Sequence, residues 1–203
     1  MTPANAIDYA ATYFKYKTPT PIRGEPTHRA LKRLKTELQA NASSIESQLG
    51  GGDHGYLGLV LTDAEYASVP GTIPFVPPQF PPVLIIPNNA TQVEALQLRE
   101  DHNEAKAAFN QCRDVERALL CYIQDAIEER YVEALVDEHT NLITMDIPDV
   151  LTYLFTTYGK VCSEEVTERD QEVMSTPWTP TDPLVLLTRP LEQLQKLSDQ
   201  AQQ

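Results

Sequence analysis

Few residues in this chain have a type and spacing suited to catalysis or metal binding. The four histidines are His28, His54, His102 and His139. None of them lies at metal-ligand spacing from another histidine or from a cysteine. Asp53 and His54 are adjacent and could serve acid–base chemistry, but no nucleophile or orienting partner can be named for them. We therefore expect a turn or packing role for this pair, and no catalytic residue, metal or cofactor.

Five of the chain's eight glycines lie in the segment LGGGDHGYLGLVL, residues 49–61: Gly50, Gly51, Gly52, Gly55 and Gly58. Three of them spell GxGxxG, which is typical of dinucleotide-binding loops. Such loops follow a strand and open a helix, whose N-terminus faces the pyrophosphate. Here a helical pattern comes first and the strand-like YLGLVL follows, so we expect no nucleotide site. We expect a structural joint, because glycine permits tight turns and close packing.

The three cysteines are Cys112, Cys121 and Cys162. Their odd number, without close pairing and without an N-terminal signal peptide, indicates a reduced cytoplasmic compartment. Cys112 and Cys121 are nine residues apart on a predicted helix, and we place both near one helical face as small apolar core residues. No apolar run approaches the roughly 18 residues of a membrane-spanning helix, so we expect no membrane partner.

The net charge of −13 is unevenly distributed along the 203 residues. Residues 1–60 carry seven Lys/Arg and five Asp/Glu, whereas residues 61–203 carry nine and twenty-four. The larger part should repel nucleic acid, so any contact with a polyanion must use the N-terminal part.

Residues 1–24 are predicted to form an extended aromatic and basic arm ahead of a helical domain, residues 25–203. In the arm, Tyr13, Phe14 and Tyr16 alternate with Lys15 and Lys17. Aromatic side chains among basic ones can stack on bases and neutralise phosphates. The alternative, which we favour, is that the aromatic residues pack on their own domain or on a neighbouring copy.

The clearest helix covers GEPTHRALKRLKTELQANASSIESQL, residues 24–49, with Pro26 in its first turn. Its leucines recur at helical spacing and form a core face. Arg29, Lys32 and Arg33 fall roughly opposite, on a stripe that is either simply solvated or binds nucleic acid or acidic lipid. The candidate nucleic-acid contacts are Lys15, Lys17, Arg29, Lys32, Arg33 and Lys35.

Residues 70–88 are predicted to be a Pro-rich loop inside the helical domain. The seven prolines between positions 70 and 87 remove backbone donors and fix φ. Val83 to Ile86 could pair as a short strand with Leu57 to Leu61. Pro78 and Pro81 spell PxxP, which either attracts a polyproline-binding module or, as we favour, belongs to a loop that crosses the domain surface.

Capping boxes predict helix starts before and after this loop, at Thr62 with Glu65 and at Thr91 with Glu94. Residues 91–135 then carry a continuous apolar stripe. The stripe forms either one long helix or two helices with a break near Asp114.

Asp146 is expected to cap a further helix that Gly159 ends. Helical patterns continue as far as residue 197, and Pro190 forces a kink or a restart there. The whole pattern predicts a mostly α fold, a bundle of five to seven helices with a Gly-rich joint, a Pro-rich loop and at most a minor β element.

Three blocks in chain order resemble the Gag-like capsid region of copia-type LTR retrotransposons. They are residues 18–66, which contain GEPT and GGGDHGYLGLVL, then VERALLCYIQDAIEERYVEAL, then VLTYLFTTYGKV. The resemblance extends over roughly residues 9–200, and its blocks are distinctive in combination without being catalytic. It implies a capsid-like helical fold, self-assembly into virus-like particles and packaging of element RNA.

The chain departs from the family pattern in that it carries no second capsid half, zinc knuckle, protease or reverse transcriptase. We therefore expect a fragment, a truncated copy or a domesticated one. A different class of function is a helical adaptor that binds a protein partner through its Pro-rich loop or an apolar helix groove.

Overall fold

The computed structural model describes residues 12–47, 54–71 and 73–160, and it is mostly helical across them. The α-helices in these ranges are α1 His28–Ser43, α2 Asp63–Ala67, α3 Gln92–Ala126, α4 Glu129–Val132 and α5 Ile147–Thr157. Short 3-10 helices occur at Leu57–Leu59 and Glu133–Leu135. The predicted mostly α fold class is confirmed. The helical patterns predicted after residue 160 lie outside the described residues.

Helix α1 begins and ends at different residues from those predicted. Thr27 is the N-cap, and its hydroxyl accepts a hydrogen bond from the N–H of Ala30 at 3.3 Å. Because Thr27 is the N-cap, Pro26 precedes the helix and is not part of its first turn. The helix ends at Ser43, where the N–H of Ser44 bonds Asn41 O, well before residue 49.

The core forms where α1 packs against the second half of α3 and against α5. The predicted leucine face of α1 is fully buried: Leu31, Leu34 and Leu38. It meets a buried face of α3 and the apolar side of α5, where Val150 and Leu154 are also buried. Burial of this apolar surface is the main stabilising term for a bundle of this kind.

Helix α3 is one continuous helix of 35 residues, without a break at Asp114. The predicted helical region 91–135 is interrupted instead after Ala126, because the backbone of Ile127 is extended. Both predicted capping boxes are present, at Thr62 with Glu65 and at Thr91 with Glu94. At 1.5 Å per residue α3 is about 52 Å long, yet none of its residues before Cys112 is buried. Its first half therefore extends beyond the core.

The predicted strand pairing of residues 57–61 with 83–86 is wrong. Leu57–Leu59 forms a 3-10 helix instead. Gly55, with a φ of +54°, turns the chain back, and the N–H of Tyr56 then bonds Ala42 O at 3.0 Å. In the described ranges, β pairing is limited to the isolated bridges Ile22–Ile127 and Val136–Ile143.

The cysteine prediction is half wrong. Cys112 is buried, as expected, but Cys121 is exposed. Nine residues at about 100° each place two side chains about half a turn apart, so the two cysteines cannot share one face. Cys162 lies outside the described residues.

Helix α5 begins after Asp146, as predicted, although the Asp146 side chain makes no capping hydrogen bond. The helix ends at Thr157, and the N–H of Gly159 bonds the carbonyl oxygens of Leu154 and Phe155. No helix in the described part of the chain combines the length and the apolar character needed to cross a membrane.

Candidate nucleic-acid interface and glycine joint

The described part of the arm lies on the core. Phe14 is buried, and its ring meets the edge of Tyr122 with centroids 6.2 Å apart. Ile22 is also buried, and its N–H donates to Ala126 O at 2.7 Å. The arm aromatic Phe14 is therefore a core residue, whereas Tyr13 and Tyr16 remain exposed.

A polar cluster, which we name the arm clamp, joins Tyr16 and Thr20 of the arm to three buried side chains, Glu37, Asn41 and Tyr122. The Asn41 side chain accepts from the N–H of Tyr16 at 2.8 Å and donates to its carbonyl oxygen at 3.0 Å. Glu37 accepts from the hydroxyl of Thr20 at 2.6 Å and from the phenol of Tyr122 at 2.9 Å. Since buried polar groups are costly unless they are bonded, these contacts fix the arm against α1 and α3.

The electrostatics of the arm clamp keep the Tyr122 phenol protonated. Burial raises the pKa of Tyr122 well above its ordinary value, and the hydrogen bond to Glu37 and the charge of that carboxylate raise it further. At neutral pH the phenol is therefore a hydrogen-bond donor to Glu37.

Sequence reasoning missed the arm clamp. One signal was available, since Asn41 falls about 20° from Leu34 on a helical wheel and so lies on the leucine face. A polar residue on a core face needs a partner, but the sequence does not name the backbone of Tyr16 as that partner.

The predicted basic residues lie in two separate groups, one on α1 and one in the arm. Arg29, Lys32 and Arg33 are exposed on α1, opposite the core. Lys15 and Lys17 are also exposed, but they flank Tyr16, which is bonded to Asn41 near the other end of the helix. Residues 29 and 41 are about 18 Å apart along the helix axis at 1.5 Å per residue. The arm lysines and Arg29 therefore lie near opposite ends of α1.

Lys35 is engaged within the protein by an ion pair. Its ammonium group lies 2.5 Å from a carboxylate oxygen of Glu65 on α2. Partial burial raises the pKa of Glu65, but hydrogen bonds from Lys35 and Thr62 and the charge of Lys35 together bring it below the ordinary value. In the described residues no ion pair engages Lys32 or Arg33, so these two are the better candidates for binding a phosphate.

The glycine joint is described at Gly55 and Gly58; Gly50, Gly51 and Gly52 lie outside the described residues. A Cβ on Gly55 would overlap the carbonyl oxygen of Ile45 and come within 2.9 Å of Ala42 O. The left-handed backbone at Gly55 adds strain for any larger residue. Gly55 thus lets the chain close tightly over the end of α1.

Gly58 has a different steric role. A Cβ there would overlap the ring of Phe75, which begins the Pro-rich segment and meets Tyr56 and Tyr66 edge to face. The neighbouring His54 Nε2 donates a hydrogen bond to Pro70 O at 3.1 Å. Asp53, its expected partner, lies outside the described residues.

The Pro-rich segment shows a burial pattern with a repeat of three residues. Phe75, Pro78, Pro81 and Leu84 are half-buried, and the two residues between each pair are exposed. Three residues per turn is the repeat of a polyproline II helix. Pro78 and Pro81 of the PxxP motif therefore lie on the edge that faces the protein.

In the described part of the chain, no group of three or more His, Cys, Asp or Glu side chains could hold a metal ion. A cleft of about 780 Å³ beside α4 is lined by acidic residues including Glu133 and Asp137. Hydrogen bonds from the backbone N–H groups of Thr140 and His139 lower the pKa of Asp137, which belongs to a turn.

Comparison of the chain with protein-family models, with curated proteins and with solved structures gives no match. The resemblance to copia-type Gag regions thus remains a prediction from the three sequence blocks.

Proposed function

We propose that this protein is a structural, Gag-like capsid protein of a copia-type LTR retrotransposon. In this proposal it assembles in the cytoplasm into virus-like particles around element RNA, and it performs no catalysis. The sequence blocks that resemble the family supply Thr27, Gly55, Gly58 and Gly159, which cap helices or allow close packing. The residues of the resembling blocks thus have structural roles in the fold, and this supports the proposal.

The observation that carries the proposal is the large amount of apolar side chain left on the surface. Outside the arm, where Tyr13 is also exposed, the described apolar side chains that are more than half exposed are Ile73, Val76, Phe80, Val83, Ile85, Val93 and Leu96. All of them belong to the Pro-rich segment or to the first turns of α3, outside the main core. Concentrated apolar exposure of this kind is typical of a protein–protein contact.

RNA packaging is the second part of the proposal. With a net charge of −13 the body of the protein repels RNA. The exposed side of α1, with Lys32 and Arg33, offers the cationic surface on which a phosphate backbone could lie.

Light scattering and negative-stain microscopy of the purified full chain, with and without RNA, test the proposal. We expect particles whose formation RNA promotes. A strict monomer at every protein and salt concentration, with or without RNA, would contradict it. Protease and reverse-transcriptase motifs in the downstream reading frame would identify an element in full, and their absence would favour a truncated or domesticated copy.

The adaptor function is the second candidate, because the outward edges of the Pro-rich segment are available to a partner. Its test is a pull-down with the full chain as bait. Since Pro78 and Pro81 face the protein, changing Pro77 and Pro82 to Ala should reduce capture more than changing Pro78 and Pro81. Specific capture that depends on the exposed prolines, with no particles formed, would favour the adaptor.

A further inference from the structure

The Pro-rich segment presents two exposed apolar lines, which together we name the ridge. One line runs through Ile73, Val76 and Ile85, and the other through Phe80 and Val83. Val83 is 87% exposed and Ile85 is 81% exposed, so these side chains contribute almost nothing to the core. These exposed side chains therefore do not stabilise the helices or the loop.

The ridge is also free of charge. Between Glu65 and Glu94 the sequence contains no Asp, Glu, Lys, Arg or His. This is unusual in a chain in which 22% of residues are charged and the net charge is −13. Two copies of the protein repel each other on average, and an uncharged surface is where they can approach at the least electrostatic cost.

The ridge is held in place before any partner binds. Phe75 is packed between Tyr56 and Tyr66, and Phe80 meets Phe109 of α3 with ring centroids 5.3 Å apart. Helices with complete capping boxes, α2 and α3, lie at its two ends. A surface that is already ordered loses little entropy on binding.

We propose that the ridge is a contact surface for a second copy of this chain, with ridge packed against ridge in a two-fold dimer. The inference rests on the proposed structural function and names the contact that self-assembly would use. Prolines at Pro74, Pro77 and Pro82 remove backbone donors from the exposed edges, so the contact is made by side chains and not by strand addition.

Because the two copies are both negatively charged, the effect of salt on the dimer distinguishes an uncharged contact from an ionic one. An uncharged contact between two polyanions strengthens as salt screens their repulsion. An acidic-to-basic contact, or RNA binding through α1, weakens with salt. The direction of the salt effect therefore identifies the kind of surface in use.

Sedimentation equilibrium of the full chain without RNA, at low and high NaCl concentrations, tests the proposal. We expect a monomer–dimer equilibrium that shifts toward dimer as salt rises. The variant Val83→Glu/Ile85→Glu should weaken dimerisation by about tenfold or more, because four carboxylates would meet across the contact. The matched control Leu142→Glu/Met145→Glu changes two exposed apolar side chains away from the ridge and should dimerise like the unmodified chain.

Circular dichroism and urea unfolding should give the same fold and stability for Val83→Glu/Ile85→Glu as for the unmodified chain, since both side chains are exposed. The proposal is overturned by a monomer in all salts, by association that salt weakens, or by equal dimerisation of variant and control. If RNA-driven particles form equally well with the variant, the ridge proposal fails while the capsid function stands. If the dimer forms as described but RNA never yields particles, the capsid function fails while the ridge contact stands.

Discussion

Gly58 lies against the ring of Phe75 so closely that no side chain could be added without moving the ring. The contact joins the 3-10 helix Leu57–Leu59 to the start of the Pro-rich segment. It gives the glycine a packing role, since the backbone φ at Gly58 is not in the left-handed region.

Replacing Gly58 by Val should destabilise the fold by about 1–3 kcal/mol or more, because the added carbons overlap Phe75. Urea unfolding of Gly58→Val, Phe75→Ala and the double variant measures the effect. The double variant should lose less stability than the sum of the single variants, since removing the ring relieves the overlap. Additive losses would show that the overlap is not the cause.

Gly55 combines a left-handed backbone with a crowded site, and a matched control separates the two contributions. Gly71 has a φ of +79° but open space around its Cβ position. Gly71→Ala should therefore cost only the backbone strain, about 1 kcal/mol, whereas Gly55→Ala should cost clearly more. If the two variants lose the same free energy of unfolding, measured in urea, Gly55 has no steric role at the end of α1.

Replacing Asn41 by Ala should destabilise the fold by about 1–3 kcal/mol, because both bonds to the Tyr16 backbone are lost in a buried site. The arm should also loosen, so trypsin should cleave at Lys15 and Lys17 faster than in the unmodified chain. Thr36→Ala, on the exposed side of α1, is the control and should change neither property. An arm that resists trypsin equally in Asn41→Ala would mean that other contacts hold it.

Tyr122 should make stability fall at high pH. In the unfolded chain a tyrosine loses its proton near pH 10, whereas in the folded protein the raised pKa keeps the Tyr122 proton in place. The unfolded state then binds fewer protons, so the free energy of unfolding decreases as pH rises above about 10. Urea unfolding between pH 8 and about 11 should show a smaller decrease for Tyr122→Phe; parallel curves would contradict the assignment.

RNA binding should depend on Lys32 and Arg33 more than on Lys35. Changing Lys32 and Arg33 to Gln should weaken binding and reduce the salt slope by about 1.4, the value for two phosphate contacts on a single strand. Lys35→Gln should instead loosen α2 from α1 through the loss of the Glu65 ion pair. Arg99→Gln/Lys106→Gln on α3, which also removes two positive charges from exposed positions, controls for net charge, and fluorescence anisotropy over a salt series provides the measurement. An unchanged slope in Lys32→Gln/Arg33→Gln would remove α1 from the interface.

The parts of the fold that short-range rules describe were predictable. The capping boxes at Thr62 and Thr91 and the buried leucines of α1 depend on residues three or four positions apart, and they occur as predicted. The apolar stripe around Asp114 fits one continuous helix and two helices equally well, so the sequence did not decide between them.

The wrong predictions depended on contacts between distant residues or on angular phase. The segment after Gly55 is a short apolar run typical of a strand, but its turn is fixed by a bond from the N–H of Tyr56 to Ala42 O that the sequence pattern does not contain. Cys121 lies half a helical turn out of phase with Cys112, so it is exposed where Cys112 is buried. The arm clamp joins residues 16 and 20 to residues 37, 41 and 122, and only the folded chain brings them together.

The long first half of α3 can accept substitutions more freely than the core. It stands apart from the core and is supported locally, by its capping box and by a hydrogen bond between Gln97 and Asp101 at 2.8 Å. Substitutions there and on the ridge leave the buried leucines of α1 and the second half of α3 untouched. Such substitutions can therefore change the outer surface of the protein while its core packing stays the same.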